Sequence, residues 1–222
     1  MKKLILAALS VFIIASLAKA NTSSNKSNFD LRVPVKNWIK KNKKNFRVSL
    51  GNGNLTTNLR ARLSKTEGID SSDNESNSNN LQLNLGYEKA IDKNFGYSTF
   101  LTYQNSEIEV FGGNEELRNY RVSGNVTYRL TKQASIYGGL NYGAWFGSGE
   151  IEDNLDAGIG YQAGISLDIF KNAVVEFEYL TLLNEGRINN LDIGNGVSNA
   201  ANLDLESKGV MLKVKLPIVL NI

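Results

Sequence analysis

The chain has 222 residues, with no cysteine, no histidine and two prolines, and it carries 25 Lys and Arg against 22 Asp and Glu. Without cysteine there is no disulfide framework, and without Cys or His the usual structural-metal ligand sets are excluded. An exported chain of this composition must be held together by a core or by a closed sheet.

Residues 1–20, MKKLILAALSVFIIASLAKA, read as a secretory signal peptide. Lys2 and Lys3 form a basic head, residues 4–17 are apolar, and Ala18-Lys19-Ala20 is a small-x-small cleavage site. That signal carries three of the basic residues, so the mature chain is balanced in charge. Residues 21–45 are Asn- and Lys-rich, hold seven Lys or Arg against the single acid Asp30, and read as a basic flexible leader. The Lys40-Lys41-Asn42-Lys43-Lys44 cluster suits a solvated linker, with anionic lipid or cell-wall polymer as the alternative contact. Basic and aromatic residues do not interleave beyond Trp38, so nucleic-acid binding has no support.

From Phe46 to the C-terminus the apolar period is two. Eight strands follow from the alternation: Leu55–Leu63, Leu81–Tyr87, Phe95–Tyr103, Tyr120–Leu130, Ile136–Phe146, Leu155–Ile169, Val175–Leu183 and Val210–Ile218. Phe46–Leu50 would extend the first across a Gly-Asn-Gly-Asn irregularity. Most reach the 9–11 residues that a tilted strand needs to cross a bilayer. Short connections at 92–94, 131–133 and 171–172 alternate with long ones near 65–80, 106–118, 147–154 and 184–204. All long loops therefore gather at one end of an up-and-down sheet.

Alternation leaves open which face is inside. A soluble lipocalin-like barrel would turn its apolar face inward; a membrane barrel would turn it outward. Opposite the apolar positions lie Arg60, Arg62, Glu88, Arg121, Arg129, Asp156, Asp168, Glu176, Glu178, Lys213 and Lys215. Both signs occur in similar numbers, as in a narrow lumen filled with paired charges. Gly158, Gly160 and Gly164, with Gly139 and Gly143, sit on that same phase, where a narrow interior needs room. The apolar phase carries no charge in the strand centres. Tyr87, Phe95, Tyr103, Tyr120, Tyr128 and Phe146 recur near strand ends, where interfacial girdles belong. Together these features favour an eight-stranded antiparallel up-and-down transmembrane β-barrel with a polar, charge-paired interior.

This pattern resembles the small outer-membrane barrels of the OmpA transmembrane-domain, OmpX and Opa-like group, over residues 46–222. The resemblance implies an outer-membrane location, lipid and lipopolysaccharide as surroundings, and insertion by the barrel-assembly machinery. Barrels of this group usually end in Phe or Trp, whereas here Val214, Leu216, Ile218, Leu220 and Ile222 keep the alternation and the last residue is Ile.

The domain plan is then a signal peptide at 1–20, a leader at 21–45 and a barrel at 46–222. Barrel enzymes of the outer membrane, as a family expectation, use histidine, which this chain lacks. No cofactor or metal motif is present. Function is read as a structural or adhesin-like surface role with a lumen sealed by salt bridges. The loops 65–80, 106–118, 147–154 and 184–204 are the candidate contacts for a host or cell-surface ligand. A small porin for ions or small solutes is the alternative, and a soluble lipocalin-like binder a third. The expected lumen network comprises Arg60, Arg62, Glu88, Arg121, Arg129, Asp168, Glu176, Glu178, Lys213 and Lys215. One register places Glu176 opposite Lys215 and Glu178 opposite Lys213, centred between Asn195 and Gly196; a nearby diagonal register serves the same pairs.

Overall fold

The computed structural model describes residues 42, 45–63, 72–110, 113–146, 154–170, 172–192 and 198–218. The expected signal peptide, most of the expected leader and the tips of the long connections lie outside these residues. The barrel unit spans Arg47–Pro217. In a second, smaller unit the Ile218 amide donates to the Phe46 carbonyl at 3.0 Å.

Eight antiparallel strands close into one barrel in sequence order, with β1 pairing β8. They are β1 (Phe46–Leu63), β2 (Ser72–Ala90), β3 (Phe95–Val110), β4 (Gly113–Arg129), β5 (Ala134–Phe146), β6 (Gly158–Phe170), β7 (Ala173–Asp192) and β8 (Ser198–Pro217). The short turns fall where the sequence places them. The long connections differ: segments 72–80, 106–110, 113–118, 184–192 and 198–204, read as loop, are strand. β7 and β8 each run for 20 residues, about twice what a bilayer crossing requires. These strands continue well past the membrane.

The physical reason lies in which face is apolar. Near the short-turn end the outward face is apolar: Val210, Leu212, Val214 and Leu216 on β8, and Val175, Phe177 and Tyr179 on β7. Leu140 is 67% exposed and Ile159 63%, in a belt that no soluble barrel would leave open to water. That observation removes the lipocalin-like reading. On β3 to β5, aromatic contacts mark the two edges of the belt. Phe95 meets Tyr128 at 5.0 Å near the turns, and Tyr103 meets Tyr120 at 5.2 Å eight residues further along β3. At about 3.4 Å per residue and a tilt near 40°, the two edges stand roughly 21 Å apart, close to the height of an outer-membrane apolar band.

Farther from the turns the two faces exchange character. Glu185, Asp204, Glu206, Lys208 and Arg62 point outward, while Leu59, Leu117, Trp145, Leu182, Ile188, Leu203 and Leu205 form a buried cluster inside. The outer half is thus packed like a small water-soluble barrel and the inner half like a membrane barrel. A strand leaving the bilayer meets water on its outer face, so apolar residues there gain by turning inward.

β1 shows the exchange within one strand and corrects its assignment. The sequence puts Leu55, Thr57 and Leu59 on the lipid face, with Arg60 and Arg62 in the lumen. The structure buries Leu55, Thr57 and Leu59 and turns Arg60 and Arg62 to the outer side. Leu50, five residues before Leu55 and so of opposite parity, is the lipid-facing one.

Interior glycines make room for atoms of the neighbouring strands. A Cβ at Gly160 would lie 1.8 Å from the Thr181 carbonyl oxygen, and one at Gly164 2.6 Å from the Tyr137 hydroxyl. At the β2–β3 turn, Asp92 accepts the amides of Asn94 and Phe95, each at 2.7 Å. The Phe95 bond, followed by the Asn94 bond, holds the Asp92 carboxyl below the usual carboxylate range. With a depressed folded value, its contribution is present above the unfolded pKa and is lost as pH falls through the folded one. Asp92→Ala should therefore lower the urea midpoint at pH 7 and have little effect at strongly acid pH. Asp92→Asn, which keeps an acceptor, should fall between; equal losses at both pH values would contradict this account.

Candidate functional site

Among the described residues, the lumen is where the strands bring chemistry-bearing side chains together. Near the turns β7 and β8 present Glu176, Glu178, Lys213 and Lys215 inward at alternate positions, all buried. Lys213 Nζ lies 2.5 Å from Glu178 Oε1, and Lys215 Nζ 2.6 Å from Glu176 Oε1. Lys215 also pairs with Glu88, which in turn meets Arg47 at 3.2 Å. Hydroxyls add to both pairs, at the second oxygen of Glu178 and at the oxygen of Glu176 that Lys215 also meets. Tyr137 donates its hydroxyl to Glu178 Oε2 at 2.9 Å, and Ser166 donates to Glu176 Oε1 at 2.8 Å.

The register differs from the one centred between Asn195 and Gly196. Glu176 stands opposite Lys213, and Lys215 opposite Val174, two residues away from the expected alignment. The pairs form diagonally, because a lysine stem spans the offset between neighbouring same-face positions. A shift between Ile188 and Leu191 near the far end of the β7–β8 ladder accompanies the change of register.

Above the charges is a polar layer. Asn84 donates to Ser49 at 2.8 Å and accepts from Thr102 at 2.6 Å and from Gln82 at 2.9 Å. Gln162 donates to Asn125 at 2.8 Å. Arg121 is 2% exposed and donates through Nη1 to Gln104 at 2.6 Å, while its Nε and Nη2 have no partner among the described residues. Leu55, Leu180 and Met211, on the adjacent strands β1, β7 and β8, then pack together. Beyond them sits the Trp145 cluster, whose indole donates to Asn184 Oδ1 at 3.0 Å while Asn184 caps the Gly143 and Asp156 carbonyls.

Of the ten expected network residues, Glu88, Glu176, Glu178, Lys213 and Lys215 meet in one cluster, and Arg121 is buried above it. Arg60 and Arg62 do not join: they stand on the outer face, Arg62 being 3.8 Å from Asp204. Arg129 and Asp168 lie exposed at the turn ends, where water solvates them. Sequence reading missed Arg47, which falls at the start of β1, and Tyr137. The signal for Tyr137 was available: an aromatic on the lumen phase of β5, paired in register with Gly164.

An apolar outer belt, aromatic contacts at its edges and charges paired inside define a small transmembrane β-barrel. Comparison with known proteins places it in the outer membrane. Outer membrane protein X of Enterobacter cloacae is 29% identical over 123 residues, covering 52% of this chain and 69% of that protein. The crystal structure of outer membrane protein OprG from Pseudomonas aeruginosa superposes with a TM-score of 0.51 at 12% identity, over 79% of this chain and 98% of that one. Neisserial surface protein A matches with a TM-score of 0.42 at 14% identity, over 78% of this chain and 97% of that one. No family model matches. The chain is an eight-stranded antiparallel barrel of the outer membrane, similar to these proteins.

Proposed function

We propose that this protein is a sealed outer-membrane barrel whose role is structural or surface-directed, not solute transport. The observation that carries the reading is the Trp145 cluster, which brings buried apolar side chains of β1, β4, β5, β7 and β8 together inside the outer half of the barrel. Ions entering from the turn side meet paired charges, then side chains packed as in a protein core. Eight strands leave an interior that side chains just fill, which agrees with closure.

The reading is also non-enzymatic. Glu176 and Glu178 are each held by a lysine and by a hydroxyl, so they serve as internal bracing and are not poised to transfer a proton. Domain boundaries at 20 and 45 belong to the same proposal, with a removed signal and a basic leader ahead of the barrel. A host or cell-surface ligand would bind at the long-loop end. Most of the expected contact segments form strand there, and their tips lie outside the described residues.

Planar-bilayer recording tests the sealed lumen. Purified monomer should give no steady unitary conductance at moderate voltage. Stable ohmic openings from the monomer would contradict closure and favour the small-channel reading.

A further inference from the structure

We infer that the outward face of the β1–β8 seam is a self-association surface, occupied in the membrane by the same seam of a second copy of this chain. The belt is uneven. On β5, across the barrel, Ile136, Leu140, Tyr142 and Phe146 all face outward. β1 offers Val48 and Leu50 and then turns polar, with Asn52 and Asn54 exposed directly opposite Leu212 and Val210 of β8. Two carboxamides thus stand level with residues of the apolar belt. Neither side chain has a hydrogen-bond partner among the described residues.

Hydrocarbon supplies no donors or acceptors, and a polar group left alone in it is costly. A carboxamide is donor and acceptor at once, so another carboxamide satisfies it fully. A two-fold contact delivers that match, since it sets Asn52 and Asn54 against their own copies. The flanks suit such a contact. Leu212 and Val210 on one side, and Leu81 and Leu83 of neighbouring β2 on the other, are exposed and apolar. The rim above is self-complementary as well: Arg62 and Lys208 share it with Asp204 and Glu206, where a rim of one sign would repel its copy. The competing occupant is lipid headgroup drawn down by local thinning of the bilayer on this side.

The absence of native cysteine allows a clean test in the full-length protein. Asn54→Cys, in intact outer membranes treated with a copper oxidant, should give a disulfide-linked dimer about tenfold more abundantly than Leu140→Cys on the far side. In large vesicles at high lipid dilution, labelled wild type should photobleach in two steps. The heat-modifiable Asn52→Leu/Asn54→Leu variant should bleach in one. Equal cross-linking of the two cysteine variants, single-step bleaching of wild type, or undiminished pairing of the leucine variant would each overturn the inference. The first two results would assign the carboxamides to lipid headgroups in a thinned bilayer.

Discussion

Lys213→Met is expected to destabilise the barrel by about 3–5 kcal/mol, because it strands the Glu178 carboxylate inside the lumen. Glu178 is 2% exposed, and its second oxygen is committed to Tyr137, so it has no path to solvent. The loss should appear as a lower urea midpoint with an unchanged slope, since the surface released on unfolding hardly changes. Lys213→Met/Glu178→Gln should recover most of it. The glutamine oxygen still accepts from Tyr137, and the uncompensated charge is gone. Glu178→Gln alone should cost less than Lys213→Met, because the Lys213 stem can redirect its ammonium toward Glu176, its register partner. A double-mutant cycle with no coupling would show that the pair does not act as a unit.

Trp145→Ala should cost a similar amount, about 3–5 kcal/mol, by opening a cavity at the centre of the outer-half cluster. Trp145 is among the largest fully buried side chains, packed with Leu117, Leu182 and Leu205. Its loss also leaves Asn184 Oδ1 without the indole N–H. Trp145→Phe refills much of the volume while keeping that vacancy, so it separates packing from hydrogen bonding. It should cost about 1–3 kcal/mol, the usual penalty for an unmet buried polar group. Denaturant unfolding measures both. If the outer half were an open vestibule, Trp145→Ala would be near neutral, as substitutions at exposed sites usually are.

Much of the inner half was legible because lipid and a polar lumen impose opposite demands on successive residues. Strands β3 to β8 show it: Val126 and Tyr128 outward, Arg121 and Asn125 inward, as their alternation implies. The outer half was illegible for the same physical reason. Once a strand clears the bilayer its apolar phase flips, so Glu185–Asp192 and Ser198–Asp204 read as polar loop although they are strand. β1 was misread because its few outward apolar residues, Val48 and Leu50, precede a longer apolar series that faces inward. The charge pairs Glu176–Lys215 and Glu178–Lys213 were foreseeable from complementary spacing. Their register was not, because lysine reaches a diagonal partner as readily as a direct one.

Both faces of the strands exchange character along the barrel, with lipid outside a charged lumen below and water outside an apolar core above. Single-cysteine spin labels along β8 in lipid bilayers test this exchange most directly. Labels at Leu212 and Val214 should be relaxed by oxygen, as in hydrocarbon, and labels at Glu206 and Lys208 by a water-soluble nickel complex. A label at Leu205 should respond to neither. Nickel access at Leu212, or at Leu205, would contradict the account.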